Sequence, residues 1–273
     1  MNEQKVSIIM PAYNAGLYIG EAIQTVIQQT HLNWELLIID DGSTDETASI
    51  VRAFQDERIH FFSQSNAGVS AARNKGLQNM SGTYFCFLDA DDLMPEESLA
   101  SRLSVFRQNP ETSFVDGKVF VKNENLNHLI RTYQPCFTGS PLKKLIRLSH
   151  DCFLGNTWMV RRQPGFNYQF KEGLTHGEDR LFFIGLANQG KYAYTESPVL
   201  IYRRRQGSAM SNLDGLQKGY ENLYKTVKKH VQGRSISDLL YLKYKIIRIM
   251  FLSNISAGRP GSAIATLFRN IFL

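Results

Sequence analysis

Residues 82–94, GTYFCFLDADDLM, run from an apolar and aromatic stretch into three aspartates, Asp89, Asp91 and Asp92, with only Ala90 between them. Carboxylates held this close repel one another, so the cluster calls for a cation among them or for full solvation. A hard divalent cation prefers oxygen ligands of this kind and shares them with phosphates. A second acidic pair, Glu178 and Asp179, opens the stretch EDRLFF. A carboxylate there can take a proton from an attacking hydroxyl, or simply favour the positive end of a helix. Singly, none of these signals is specific. An Asp-x-Asp pattern also fits a solvated turn, with Asp92 as the N-terminal cap of the next segment. Asp40 and Asp41 alone could merely cap the following helix, and Arg73 alone on a small-residue helix reads as a surface residue more often than as a ligand contact.

The elements before these residues give them weight. KVSIIM reads as a short buried strand stopping at Pro11, WELLIID as a second strand, RIHFFSQ as a third and TYFCFLD as a fourth. Between them lie three predicted helices. LYIGEAIQTVIQQT has an apolar stripe at Ile19, Ala22, Ile23, Val26 and Ile27. STDETASIVRAFQ opens with Ser43 or Thr44 as N-cap and Asp45 and Glu46 in the first turn. GVSAARNKGLQNM is rich in small residues. This alternation predicts a mostly parallel sheet with helices on both faces, in which ligands bind at the carboxyl ends of the strands. MPAYN, IDDGSTD, SNAGVSAARN and LDADD leave the four strands at that one edge. Further on, EESLASRLSVFRQ, SPLKKLIRL and EDRLFFIGLANQG (closed by Gly190) predict helices. SFVDGKVFVKN predicts two short strand pieces, and KYAYTESPVLIYRRR a strand and a loop. After 211 the chain reads as three helices.

The chain has 273 residues, 43% of them apolar, enough for one large domain or a domain with an appendage. Three cysteines, Cys86, Cys136 and Cys152, form no CxxC pair and no zinc pattern, and read as reduced thiols. VSIIM is too short for a signal-peptide core, and no uncharged apolar segment reaches the ~20 residues that span a bilayer. The net charge of +6 is unevenly placed: residues 1–200 balance to −4 and residues 201–273 to +10. Such a split points to a basic tail with its own partner.

In order and spacing, VSIIMPAYNAGLYIGEAIQTVIQQTHLNWELLIIDDGSTDET, NAGVSAARNKGL, GTYFCFLDADD and GED resemble a family 2 glycosyltransferase with the GT-A fold. The likeness is dense from residue 5 to about 95 and thin to about 210. It implies a catalytic domain over 1–210, with a nucleotide-binding half to about 95 and an acceptor half from about 96, followed by a helical basic extension over 211–273. It further implies a nucleotide-diphosphate-sugar donor, a UDP-sugar being the expected one, and a divalent cation, Mn²⁺ or Mg²⁺. On this resemblance Pro11, Ala12 and Tyr13 wrap the nucleobase and ribose, and Asp41 reads the base edge. Asn66 and Arg73 line the nucleotide and diphosphate side. Asp91 is the direct metal ligand, with Asp89 nearer the ribose and sugar. Asp179 is the general base, and Glu178 shapes the site or contacts the acceptor. One base and one attack give a single displacement with inversion at the anomeric carbon. In YRRRQGSAMS, Arg205 stands where many relatives carry a histidine, and Arg203 or Arg205 would pair with phosphate oxygens.

The resemblance also implies a glycan or lipid-linked saccharide as acceptor, in surface-polysaccharide synthesis on the cytoplasmic side of a membrane. In AIATLFRNIFL, Ile264, Leu267, Phe268, Ile271 and Phe272 recur at helical spacing. This helix either packs on the catalytic domain or lies peripherally against anionic lipid. A sugar-1-phosphate nucleotidyltransferase would want a glycine-rich loop with a basic residue after the first strand, which PAYNAGLYIG lacks. A catalytically silent nucleotide-sugar or lipid-binding scaffold is disfavoured by the intact Asp89, Asp91 and Asp179. Missing GxGxxG and GK[ST] patterns argue against a dehydrogenase and a P-loop enzyme, and no motif supports nucleic-acid binding.

Overall fold

The computed structural model describes residues 4–174, 176–205 and 212–269. Strands β1 (Val6–Ala12), β2 (Trp34–Asp40), β3 (Ile59–Ser63) and β4 (Tyr84–Phe87) lie side by side in the order β3-β2-β1-β4, all parallel. Helices α1 (Ile19–Ile27), α2 (Thr47–Arg52) and α3 (Val69–Asn79) connect them. Every residue of β1 and β2 is buried, as expected for strands covered on both faces.

Two local expectations are corrected. β1 runs through Pro11 instead of stopping there, because β4 ends at Phe87, opposite Ile9, and leaves that side of β1 open beyond the hydrogen bond from Leu88 N to Ile9 O. Pro11 therefore forfeits no ladder bond. Helix α2 begins later than predicted, with Glu46 at its N-cap and no side-chain cap. Asp45 precedes the helix, accepting hydrogen bonds from Thr47 N at 3.0 Å and Gly16 N at 2.9 Å, and so ties α2 to the loop after β1.

The second half completes a mixed eight-stranded sheet. β7 (Met159–Arg161) pairs antiparallel with β4 and with β5 (Thr112–Asn123), β6 (Leu129–Tyr133) pairs antiparallel with β5, and β8 (Lys191–Arg204) runs parallel to β5. SFVDGKVFVKN thus belongs to one strand of 12 residues, and all of KYAYTESPVLIYRRR except Arg205 forms one of 14. Shifts in the β5–β8 register beside Lys118 accommodate Pro198 within the strand. β6 is exposed at four of its five positions and β7 is three residues long, so neither shows an apolar pattern in sequence.

Alternate residues of the parallel strands feed two cores. Ile8, Met10, Leu36 and Ile38 face α1 and the start of α4 (Ser98–Gln108). Ile9, Leu37, Ile39, Phe85 and Phe87 join Trp158, Phe183 of α6 (Glu178–Leu186) and the tail residues Leu223, Val227, Leu242, Ile246 and Met250. Helices α7 (Leu213–His230) and α8 (Ile236–Ser256) are therefore built into the same core as the parallel strands. A capping box of Ser235 and Asp238 starts α8, and Arg147 binds Asp238 at 2.7 Å, just after α5 (Leu142–Ile146). Helix α9 (Pro260–Arg269) packs back on α8 through buried Ala263 and Thr266, whereas Ile264 and Leu267 are 54% and 41% exposed. Where described, the predicted apolar stripe thus faces outward. Ile271 and Phe272, and the side chain of Phe268, lie outside the described residues. Among the described residues no helix is long and apolar enough to cross a membrane.

Candidate active site

Two candidate residues far apart in sequence, Asp89 and Glu178, meet on a third, Arg73. Its guanidinium, buried within α3, donates to Asp89 Oδ1 at 3.0 Å and to Glu178 Oε1 at 3.1 Å. Burial alone would pull the arginine down, but the Asp89 and Glu178 carboxylates outweigh it and hold the group above its ordinary value. Among the described residues its buried Nε has no hydrogen-bond partner, so the cluster has donor capacity left. Burial and the adjacent Asp179 raise Glu178, and Arg73 opposes them. Glu178 and Asp179 form the first turn of α6 behind Gly177, and Asp179 Oδ1 accepts from Arg180 N at 2.6 Å. Among the described residues Asp179 forms no ion pair.

The aspartate loop is fixed from the far side by β8. Leu93 N donates to Ile201 O at 3.1 Å and Ile201 N to Leu93 O at 2.9 Å. Asp92, buried, accepts from Arg203 N at 2.8 Å; it caps no helix, since α4 starts behind Glu97. Burial first, then Asp89 and Asp91, drive Asp92 well above the usual carboxylate range. Burial and Asp89 likewise raise Asp91. Arg205 Nε meets Asp91 Oδ2 at 2.7 Å. Arg203 is committed to the protein: Nε to Asp91 O at 2.8 Å, Nη1 to Glu124 O at 2.6 Å and Nη2 to Glu21 Oε2 at 2.5 Å. Both arginines lie over Tyr18, at 4.9 and 5.3 Å from its ring centre.

The nucleoside-side candidates follow β1 and β2. Asp41 is buried, and its carboxylate accepts from Gln64 Nε2 at 2.8 Å, Ala67 N at 2.9 Å and Gly68 N at 2.8 Å. It thereby shapes the loop that carries exposed Asn66. Pro11 and Ala12 are buried at the end of β1, and Tyr13 beyond them is exposed.

A cavity of about 420 Å³ is bordered by Arg73, Asp89, Asp92, Glu178 and Asp179, but not by Asp41 or Asp91. Leu216, Gly219, Tyr220 and Leu223 of α7 form one wall, and Arg131, His150 and Arg180 also line it. None of these wall residues stood out in sequence. The available signal was GLQKG: Gly215 and Gly219 lie on one face of α7, and a Cβ on Gly219 would meet His176 O at 2.6 Å. At Gly215 too, a Cβ would meet the His176 ring, at 2.6 Å, so both glycines let α7 lie against the segment before α6.

Among the described residues no three His, Cys, Asp or Glu side chains could together hold a metal ion. The donor chemistry nevertheless fits a cation held by one or two carboxylates with phosphates completing its shell. Burial and Asp89 raise Asp91, and Asp89 and Asp91 already face a positive group each, Arg73 and Arg205.

The model of "Glycosyl transferase family 2" matches residues 7–166. An uncharacterized glycosyltransferase of Rickettsia conorii is 32% identical over 193 residues; the match covers 69% of this chain, which spans only 31% of that relative. The UDP-Glc:alpha-D-GlcNAc-diphosphoundecaprenol beta-1,3-glucosyltransferase WfgD of Escherichia coli is 40% identical over 215 residues, 78% of this chain and 82% of WfgD. In fold, the chain is similar to S. aureus TarS 1–349 in complex with UDP-GlcNAc, with a TM-score of 0.75 at 19% identity over 98% of this chain and 80% of that one. The mannosyltransferase PcManGT from Pyrobaculum calidifontis, in complex with GDP-Man and Mn²⁺, gives 0.65 at 18% identity over 98% and 75%.

Proposed function

This chain belongs to glycosyl transferase family 2, and from that premise we propose that it moves a sugar from a nucleotide-diphosphate donor to a hydroxyl of a glycan or lipid-linked saccharide, in surface-polysaccharide synthesis, by a single inverting displacement. One observation carries the reading: Arg73 joins Asp89 to Glu178, beside Asp179, on one cavity at the carboxyl edge of the parallel strands. A UDP-sugar is the expected donor, in keeping with the likeness to WfgD.

In this reading Pro11, Ala12 and Tyr13 cover the nucleoside, with Asp41 and Asn66 on its edge. Asp89 faces the ribose and sugar, held there by Arg73. Asp91 and Asp89 would hold Mn²⁺ or Mg²⁺, which when bound stabilises negative charge on the leaving nucleoside diphosphate. Arg205, on Asp91, has the geometry to exchange a carboxylate for a phosphate oxygen. Arg203 acts instead by positioning the Asp91 backbone. Glu178 is engaged by Arg73, so Asp179 takes the proton from the acceptor hydroxyl as it attacks, and the developing oxocarbenium character is met by the acidic wall.

The test is a screen of nucleotide sugars with and without Mn²⁺, read by thermal unfolding and donor hydrolysis. A UDP-sugar that raises Tm only with metal is expected. No shift with any nucleotide sugar rejects the reading.

Ile236, Leu240, Tyr244 and Leu252 on α8 and Ile264 and Leu267 on α9 are exposed, and the same stretch of sequence carries Lys243, Lys245, Arg248 and Arg259. This suits peripheral attachment to anionic lipid. Flotation with anionic liposomes should be lost in a double variant Leu240→Glu, Tyr244→Glu; equal flotation excludes this face.

A further inference from the structure

Two arginines at the end of β8 hold the aspartate loop in different ways. Arg203 has a side chain only 5% exposed, and its guanidinium is taken up by Asp91 O, Glu124 O and Glu21 Oε2. It belongs to the frame. Arg205, two residues on, has a side chain 43% exposed. Among the described residues its one ion pair is the 2.7 Å contact from Nε to Asp91 Oδ2, and its side chain makes no other hydrogen bond. Its guanidinium otherwise rests over the ring of Tyr18 at 5.3 Å, and Tyr18 is itself pinned by donating from its hydroxyl to Glu124 Oε1 at 2.7 Å. Among the described residues no other basic group forms an ion pair with the Asp91 carboxylate.

A guanidinium stays protonated at any working pH and offers a metal no lone pair. On Asp91 it therefore cannot assist a divalent cation; it stands in for one, and the two compete for the same carboxylate. The contact is also easily released. A part-exposed ion pair through one N–H is weak, whereas phosphate oxygens can accept two guanidinium donors side by side. Arg203 has no such freedom, because its departure would unpair a buried charge from three acceptors at once. The two arginines thus divide into a fixed group that shapes the loop and a movable one that occupies its carboxylate.

We propose that Arg205 is a built-in counter-ion that makes the metal affinity of Asp91 conditional on the donor: its guanidinium guards Asp91 Oδ2 until a nucleoside diphosphate draws it away. The proposal rests on the transferase reading above, with Asp91 as metal ligand, and adds the regulation of that site. Cation and nucleotide are then taken up together, and free cation is not held in advance. By linkage each raises the affinity for the other by the same factor, and the release of Arg205 supplies part of that factor.

The test titrates Mn²⁺ onto the full chain without nucleotide and with UDP in excess. Binding is read by water-proton relaxation, which separates protein-bound ion from the small Mn²⁺–UDP complex. Without nucleotide, Arg205→Gln should bind Mn²⁺ about fivefold more tightly than the wild type, the weight of a part-exposed ion pair. With UDP in excess the gain should vanish, leaving the variant no tighter than the wild type. Arg204→Gln removes the same charge from the neighbouring exposed position and should move neither titration by more than about twofold. Adding Asp91→Asn to Arg205→Gln should cancel the gain. Unchanged Mn²⁺ affinity in Arg205→Gln, or a gain that survives Asp91→Asn, overturns the proposal. So does an equal gain with UDP present or in Arg204→Gln, since either marks plain charge repulsion. If UDP with Mn²⁺ fails to bind the wild type, the UDP-donor reading falls. The titrations without nucleotide then still decide whether Arg205 guards Asp91.

Discussion

The two ends of the parallel strands treat buried carboxylates in opposite ways. At the amino end, Glu35 accepts from Ser7 Oγ at 2.5 Å, Ser81 N at 2.7 Å and Ser81 Oγ at 2.8 Å, with Lys5 Nζ at 2.6 Å. Burial alone would raise this group, yet Lys5, Ser7 and Ser81 bring it down to about 2. At the carboxyl end, Asp91, Asp92 and Glu178 all stand above their ordinary values, and Arg73 Nε has no partner among the described residues. One carboxylate is fully neutralised by the protein and ties β1, β2 and the approach to β4 together. The other group is left short of positive charge and hydrogen bonds, as the proposed ligand site requires. Burial of acid is common to both, so completeness of pairing separates the stabilising end from the proposed site.

Four experiments would break or sharpen that contrast. The largest effect is expected from Asp179→Asn, which should lower kcat on the order of 10³-fold while leaving donor Kd within about twofold. Retained turnover would remove it as base. Next, Asp91→Ala should weaken metal-dependent nucleotide affinity on the order of 100-fold without loss of thermal stability, measured by calorimetry with and without Mn²⁺. At the opposite end Glu35→Gln should do the reverse, costing about 2–3 kcal/mol of stability at pH 7 with nucleotide affinity intact. Because the folded value of Glu35 lies below its ordinary 4.5, the wild-type advantage should be complete above pH 4.5 and fade as pH falls toward 2. Denaturant melts across that window check it.

The smallest effect tests whether incomplete pairing by itself marks a reactive site. Asp116, in the middle of β5, is driven up to about 6 by burial, with Thr157, Gly117, Arg102 and Tyr192 only partly opposing. Since the folded value is raised, stability should fall as pH rises through about 6. Asp116→Asn should therefore stabilise by about 1 kcal/mol at pH 8, and not at pH 4. A loss of transfer in that variant would show that the contrast between the ends is too simple.

Much of this was legible in the chain. WELLIID is β2 residue for residue, because a strand buried on both faces writes itself as an unbroken apolar run. The position of the aspartates beyond β4 followed from the same rule. Other features depended on partners distant in sequence. β5 read as two pieces because Gly117 interrupts it, yet a Cβ there would meet Val199 Cγ1 at 2.4 Å, so the glycine serves the approach of β8 and not a break. Ser43 and Thr44 looked like caps, but Asp45 took the tie to Thr47 and Gly16. The pairing of Arg73 with Glu178 joins positions 105 residues apart, and no local spacing announces it. Arg131, His150 and Arg180 belong to three different segments, so the basic lining emerges only when the sheet and α6 bring them to one cavity.

The narrow seat of the His176 carbonyl over Gly219 also limits how such enzymes can be recombined. A C-terminal quarter grafted from another protein, with any larger residue at that helix position, would prise away the peptide leading into Asp179 and shift the proposed proton acceptor with it. Chimeras joined ahead of α7 should therefore work only when the donor tail brings a matching pair of glycines, however well its apolar face fits the core.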